Sequence, residues 1–195
     1  MMKKILLIDS NPSKFSLTAC LAEEYEISAR KSGFDVEILV LRNLHFDPIL
    51  HFGYSRRQEL EPDLERSQNL LKWCDHLVIL SPVWWYGPPA LLKGFLERVL
   101  LPGFAFDVQL VPVRKVERLL AGRTVTLIYT YGGPKQNMAT DFEDPFGLQL
   151  KSGILPFCGF TDIKTYPLYE TLGFRNIKRR QRFIDDVARM GATGE

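Results

Sequence analysis

Three short stretches carry residue types that could hold a flat, charged ligand. The sequence Asp9-Ser10-Asn11-Pro12-Ser13-Lys14-Phe15-Ser16 places hydroxyls just ahead of a helical pattern. Free backbone N–H groups and the positive dipole end at a helix N-terminus suit a phosphate. The same serines suit simple helix capping; the two uses ask for the same residues, and both stay open. The stretch lacks Gly-x-Gly-x-x-Gly and lacks Gly-x4-Gly-Lys-[Ser/Thr], so a Rossmann dinucleotide grip and a P-loop are both disfavoured.

A second stretch, Ser81-Pro82-Val83-Trp84-Trp85-Tyr86-Gly87, puts three aromatics in a row after a short apolar run. Core packing is one use for such residues. However, Trp84 and Trp85 are neighbours and point in different directions, so at least one is expected to face a ligand crevice. There, stacking on an aromatic ligand adds ~0.5–1.5 kcal/mol beyond area burial. The third stretch is Thr130-Tyr131-Gly132-Gly133, whose paired glycines allow a sharp turn or close approach of a ligand to the backbone. A phosphate pocket, an aromatic wall and a glycine-backed edge would together suit a flavin mononucleotide moiety.

The elements that must position these loops alternate regularly. Apolar runs at 3–8 and 77–81, the β-branched and aromatic stretch 123–130, and the segments 34–41 and 162–168 read as strands. Helices are expected from Ser13 or Ser16 to Gly33, from a cap at Asp63 to about 74, from Pro89 at the first helical position to about 102, over 146–157 and over 175–190. Strands alternating with helices imply a parallel sheet covered on both faces. Five strands fit an α/β, flavodoxin-like doubly wound sheet of order 2-1-3-4-5, in a single domain spanning 1–195. Its ligand crevice lies where the three loops emerge. Residues 42–62 and 103–122 read as irregular, and the first of these is long enough to suggest a function or a partner.

Composition bounds the rest. The chain has 195 residues, 46% hydrophobic and 25% charged, with a net charge of +2. That is ordinary for a soluble globular domain and argues for neither nucleic acid nor a membrane surface. No apolar run reaches the ~20 residues of a membrane span, and the N-terminal run is too short for a signal peptide. The three cysteines lack any Cys-x-x-Cys spacing, so free thiols in the cytoplasm, with no metal site, are expected.

Ser-Pro-Val-Trp-Trp-Tyr-Gly-Pro-Pro-Ala-Leu-Leu-Lys-Gly-Phe-Leu-Glu-Arg-Val (81–99) resembles the signature of the flavodoxin-like NAD(P)H:quinone oxidoreductase family. Gly103-Phe-Ala-Phe106, Thr130-Tyr-Gly-Gly133 and Ser152-Gly-Ile-Leu-Pro-Phe-Cys-Gly-Phe160 follow in the family's order. The resemblance implies an enzyme, an NAD(P)H dehydrogenase (quinone), that passes two electrons from NAD(P)H through a bound flavin to a quinone-like acceptor. It implies a homodimer. It implies that Ser10, Phe15 and Ser16 hold the phosphate or ribityl end of the flavin. Pro82, Val83, Trp84, Trp85 and Tyr86 would flank the ring, and Thr130, Tyr131, Gly132 and Gly133 its other edge. Phe106 would stand near the substrate across the dimer; the Phe104-Ala-Phe106 segment and the 42–62 insertion are expected to expose apolar surface in a monomer, which also points to a homodimer. Two departures limit the likeness. After the Gly-Gly turn the chain has Met138 but neither the Tyr nor the His that assist charge transfer in the family, so no catalytic acid or base is assigned. Lys135 or Tyr131 are candidate substitutes. The chain also ends at Glu195, without the long C-terminal extension of larger members, which leaves FMN and FAD both open. Lys178-Arg-Arg180 could meet a nucleotide phosphate or could be a solvated helix face. The alternative function is an ancillary, regulatory subunit of an ion-transport system, docking through 42–62. A one-electron flavodoxin carrier fits poorly, because such carriers are acidic.

Overall fold

The computed structural model describes residues 2–109, 115–135, 143–173 and 176–195. In chain order the elements are β1 (Lys4–Asp9), α1 (Leu17–Lys31), β2 (Asp35–Val40), a 3₁₀ turn (Leu41–Asn43), α2 (Pro62–Trp73), β3 (His76–Pro82) and α3 (Ala90–Val99). There follow β4 (Phe106–Gln109), β5 (Lys115–Arg118), β6 (Thr124–Thr130), α4 (Pro145–Leu148), a π-helical stretch (Gln149–Ile154), α5 (Leu155–Cys158), β7 (Thr161–Leu168) and α6 (Ile177–Thr193). Five parallel strands form one sheet in the order β2-β1-β3-β6-β7. This is the expected doubly wound order, with β6 and β7 as its fourth and fifth strands.

The apolar runs read as strands because both faces of the sheet are covered. Ile5, Leu7, Val78, Leu80 and Ile128 face a core built with Leu21 and Tyr25 of α1 and Val187 of α6. Leu6, Ile8, Leu77, Ile79, Val125 and Leu127 face the opposite core, with Leu71 of α2, Leu92 and Phe95 of α3, and Leu155. Along the central strands β1, β3 and β6 both faces are therefore buried, whereas the edge strands β2 and β7 carry polar and partly exposed residues. The α1–α6 packing is close: a Cβ on Gly191 would come 2.4 Å from the Tyr25 carbonyl oxygen.

Of the two expected caps, Ser16 is the one that caps α1, its Oγ accepting from the Ala19 N–H at 3.2 Å. Other local expectations are corrected. Asp63 is not a cap; α2 begins after Glu61 with Pro62, and the Asp63 carboxylate accepts instead from the His45 N–H at 2.7 Å. Pro89 precedes α3 as its N-cap residue rather than entering it. The stretch 103–122 is not wholly irregular, since β4 and β5 pair as an antiparallel hairpin from Phe106↔Arg118 to Gln109↔Lys115.

The segment 42–62 is irregular as expected, but it is pinned to the fold. The Arg98 side chain is fully buried. It donates to the carbonyls of Asp47 and Glu59 and pairs with the Glu61 carboxylate at 2.8 Å. Phe46 meets Phe95 edge-on, and Pro48 lies so close to Gly94 that a Cβ there would be 2.5 Å from the proline Cβ. Among the described residues no helix is long and apolar enough to cross a membrane, and no group of three or more His, Cys, Asp or Glu side chains gathers to hold a metal.

Candidate functional site

Sheet register brings the three loops together. In the β1–β3 ladder Asp9 lies beside Leu80, and in the β3–β6 ladder Pro82 lies beside Thr130. Pairing continues one residue further on each side: the Ser10 N–H donates to the Leu80 carbonyl at 3.0 Å, and the Val83 N–H to Thr130 at 2.9 Å. The loops after β1, β3 and β6 therefore leave the sheet side by side at its carboxyl edge, where open α/β sheets bind ligands.

The first loop is braced from within. Asn11 donates its N–H to the Asp9 carboxylate at 3.1 Å and its side-chain amide to Thr18 Oγ1 at 2.6 Å, while its own oxygen accepts from the Ser13 N–H at 2.8 Å. Arg42 bonds the Asp9 carboxylate and the Asn11 carbonyl, so its charge is spent on the fold. Ser10 is fully buried and its hydroxyl donates to the Leu80 carbonyl at 2.9 Å, which turns it away from any ligand. By contrast, the backbone N–H groups of 14–18 make no hydrogen bond to the described residues. Phe15 is 92% exposed beside them. What this loop offers an anion is its backbone at the α1 N-terminus, with Ser16 already used as the cap.

The second loop is a tight reversal. Trp84 and Gly87 exchange both backbone hydrogen bonds at 3.0 Å. The two central residues, Trp85 and Tyr86, have φ of +51° and +64°. Positive φ at both centres is the type I′ geometry, which ordinarily takes Asn-Gly. Bulky aromatics there are strained, and strain of this kind is concentrated at functional sites. The reversal throws the Trp85 side chain outward, 97% exposed, while Trp84 is half exposed.

The third loop is gripped at Tyr131. Its N–H donates to Leu168, and its carbonyl accepts from both the N–H and the Oγ1 of Thr171. Its ring stacks on Tyr169 with centroids 5.2 Å apart and planes 3° apart. Its hydroxyl donates to the Asp144 carboxylate at 2.5 Å, and Tyr129 donates to the same carboxylate. Burial, and then the bond to Asp144, push both phenols above their ordinary range. The Tyr131 hydroxyl is thus engaged with Asp144, while Lys135 stays exposed. Sequence reasoning missed Asp144, although Asp-Pro at the start of a helical run is a cap signal, and the Asp144 side chain does cap the Gly147 N–H at 3.2 Å.

Between the second and third loops lies a hollow of about 340 Å³, bounded by Val83, Trp85, Tyr86, Tyr131, Gly132 and Gly133. This volume is within the ~300–1,000 Å³ of small-molecule sites. Among the described residues its lining carries no carboxylate. Six of the expected site residues therefore share one cleft. Pro82 and Thr130 are buried at its base, at the ends of their strands. Ser10, Phe15, Ser16 and Trp84 are not part of its wall. Phe106 is also apart from the cleft of its own chain: it is packed edge-on against Phe157 at 4.8 Å and faces Tyr54 at 6.4 Å. The expectation that 104–106 exposes apolar surface is overturned, since Phe104, Ala105 and Phe106 are all buried under their neighbours. A second hollow of about 430 Å³ lies between the 50–60 segment, α2 and 101–104. It carries none of the cleft residues and is remote from the loops at the sheet's carboxyl edge.

No histidine reaches the cleft. His45 and His51 sit in the 42–62 segment beside Asp63 and Asp47. His76 is buried at the amino end of β3, where burial, and then the charge of Lys3, hold it down near 3. Met138 lies outside the described residues. Arg179 pairs with Glu170 at 2.5 Å, and Arg180 donates to the carbonyls of Thr171 and Gly173, so these two basic residues brace the 170–173 loop.

Residues 3–192 match the model of a family described as having a flavodoxin-like fold. The chain is 27% identical over 183 residues to a ribosyldihydronicotinamide dehydrogenase (quinone) of Pongo abelii, a match covering 81% of this chain and 78% of that protein. It is 30% identical over 141 residues to an Escherichia coli protein named uncharacterized NAD(P)H oxidoreductase YcaK, covering 69% of this chain and 67% of that one. The crystal structure of Smu.1420 from Streptococcus mutans UA159 superposes with a TM-score of 0.80 at 28% identity, covering 97% of this chain and 99% of that one.

Proposed function

The chain belongs to the flavodoxin-like NAD(P)H:quinone oxidoreductase family, and on that premise we propose that it is a flavin-dependent NAD(P)H dehydrogenase acting on quinone-like acceptors. The observation that carries the reading is the cleft itself. An exposed aromatic wall, Trp85 and Tyr86, faces a glycine-backed edge, Gly132 and Gly133. Unbonded N–H groups at the α1 N-terminus lie on the neighbouring loop of the same sheet edge. This donor set fits a flavin: a π-face for the ring, backbone for its polar edge, and amides with a helix dipole for its phosphate. In this reading Trp85 and Tyr86 hold the ring. Val83, Tyr131, Gly132 and Gly133 border it, Pro82 and Thr130 anchor those loops, and residues 14–18 take the phosphate with Phe15 covering it. Ser10 and Ser16 act on the loop rather than on the ligand.

A flavin bound there supplies hydride acceptance from NAD(P)H and hydride delivery to the acceptor, with the sum NAD(P)H + H⁺ + quinone → NAD(P)⁺ + hydroquinone. The chain's own part is to bind, orient and exclude competing reactions. The chain's three histidines all lie away from the cleft, and in this reading solvent can provide the proton. Phe15, Trp85 and Leu172 stand 92%, 97% and 74% exposed around the crevice. Apolar surface of that kind marks an interaction site, and a second copy of the chain covering the ligand is the arrangement we propose. Purified protein should be yellow, or should take up added flavin, and should oxidise NADH or NADPH when a benzoquinone is added. Heat release and chromatography identify FMN or FAD, and light scattering should give a dimer. A colourless protein that takes up neither flavin refutes the reading.

A further inference from the structure

The glycine turn at the edge of the cleft has no side chains of its own to hold it, yet its position decides where the ring edge lies. What holds it is a carboxylate one tyrosine side chain behind the cleft. Asp144 accepts from the hydroxyls of Tyr131 and Tyr129 and from the Gly147 N–H. No room is left around it: a Cβ on Gly147 would lie 2.3 Å from the Asp144 carboxylate and 2.8 Å from the Tyr129 hydroxyl. Asp144 and its neighbour Glu143 both sit at positive φ, +53° and +52°. Non-glycine residues keep that conformation only where the surroundings fix it. Of the two tyrosines, only Tyr131 borders the cleft. Its N–H, carbonyl, ring and hydroxyl are each engaged, and Gly133 is tied in turn by its carbonyl to the Glu170 N–H at 2.9 Å.

We propose that Asp144 is a positioning residue for flavin: through the Tyr131 hydroxyl it sets the Gly132–Gly133 backbone against the ring, and its negative charge, held behind that edge, biases the bound flavin towards its oxidised form. The proposal rests on the reading of the cleft as a flavin site. The two halves separate by variant. Tyr131→Phe removes the tether and keeps the charge. Asp144→Asn removes the charge and keeps one acceptor oxygen, so one hydroxyl retains its acceptor while the other meets the amide NH₂, from which its own oxygen can accept. Tyr129→Phe removes the other hydroxyl, on the side away from the cleft.

The test uses full-length apo protein titrated with FMN and, in parallel, FAD, followed by quenching of flavin fluorescence. The midpoint potential of the bound flavin and the thermal unfolding of each apo variant are measured alongside. Tyr131→Phe is expected to weaken flavin binding about tenfold, and Tyr129→Phe to leave it within twofold. Asp144→Asn is expected to favour the reduced form about tenfold, a positive shift of about 30 mV for a two-electron couple. The double variant Tyr131→Phe/Asp144→Asn should bind no more weakly than the weaker single variant, because the two groups act as one unit. If wild type binds flavin but Tyr131→Phe binds it equally well, the tether is refuted. An unshifted potential in Asp144→Asn refutes the charge effect. Equal loss in Tyr129→Phe and Tyr131→Phe, following their unfolding temperatures, reduces the carboxylate to a structural bond and overturns the proposal. Failure of wild type itself to bind either flavin overturns the cleft reading as well, a result distinct from the others.

Discussion

Trp85→Ala separates ligand binding from folding more cleanly than other changes in the cleft. In the free protein the Trp85 side chain is 97% exposed, so its removal takes almost nothing from the fold. Surface truncations of that kind stay within about ±0.5 kcal/mol. Bound against a flat ring, one face of the indole would be covered. Half of the ~150–250 Å² that a tryptophan can bury is roughly 75–125 Å². At ~25 cal/mol per Å² that area gives about 2–3 kcal/mol. Stacking adds about 0.5–1.5 kcal/mol. The loss on truncation is then roughly 2.5–4.5 kcal/mol, a roughly 60- to 1,600-fold weaker flavin Kd at about 1.4 kcal/mol per decade. Trp84 is half exposed and is not part of the cleft wall, so Trp84→Ala should change the Kd less than about tenfold and cost the fold more. The assay is flavin fluorescence quenching for Kd, with urea unfolding of the apo proteins for stability. Equal Kd values for the two variants, or an apo Trp85→Ala destabilised in step with its lost affinity, would refute the reasoning.

Three other outcomes follow from the fold. Arg98→Met should strand the Asp47 and Glu59 carbonyls that the guanidinium serves. Each orphaned group costs about 1–3 kcal/mol, so a total near 3–5 kcal/mol is expected, read as a drop of about 10 °C in Tm at roughly 2–4 °C per kcal/mol for this chain length; faster proteolysis within 42–62 should accompany it. His76 is held neutral, its pKa lowered from about 6.5 to about 3 by burial and then by Lys3. The fold thus favours the neutral ring: its contribution is intact above pH 6.5 and is lost as pH falls from there towards 3. Between pH 7 and 4 His76→Gln should spare up to about 3 kcal/mol of acid destabilisation, at about 1.36 kcal/mol per pKa unit, and a parallel loss of stability in wild type and variant would count against it. Replacing Trp85-Tyr86 by Asn-Gly, the residues suited to a type I′ reversal, should raise the unfolding midpoint of the apo protein while abolishing flavin binding; an unchanged or lower midpoint would show that the aromatic pair is unstrained.

The sheet was legible because its central strands β1, β3 and β6 are buried runs separated by helical periods from each other and from the more polar edge strands β2 and β7, and strand order follows from packing rules that leave few alternatives. The cleft was legible for the same reason: once β1, β3 and β6 are adjacent, so are the loops that leave them. What was hidden depended on contacts distant in sequence. Arg98 looks like an exposed helical charge until the 42–62 segment folds over it. The hairpin β4–β5 is too short, at four residues a strand, to show a period. The Asp144 carboxylate reads as a cap, and nothing local says that two tyrosines on the far side of the 131–144 excursion will share it. Likewise the burial of Phe106 depends on Phe157, about fifty residues away, and exposure inferred from its own neighbourhood was wrong.

These hidden contacts share a direction. The polar groups that sequence would assign to a ligand are largely turned inward: Ser10 to Leu80, Ser16 to the α1 cap, Arg42 to Asp9, Arg180 to the 171–173 carbonyls, and Tyr131 to Asp144. Among the described residues, the groups left facing solvent at the sheet's carboxyl edge include backbone amides and apolar faces: the N–H groups of 14–18, the glycines 132–133, Phe15 and Trp85. A site built this way discriminates by shape and by a few fixed dipoles. Among the described residues its lining carries no histidine or carboxylate, and a pH dependence of the reaction should come mainly from substrate and cofactor. The strained reversal at Trp85 and Tyr86 fits the same logic. Strand β3, fully buried along its length, and its ladder to β6 hold the loop's ends. Stability of the sheet is thereby used to keep an aromatic face exposed that would otherwise collapse onto the core.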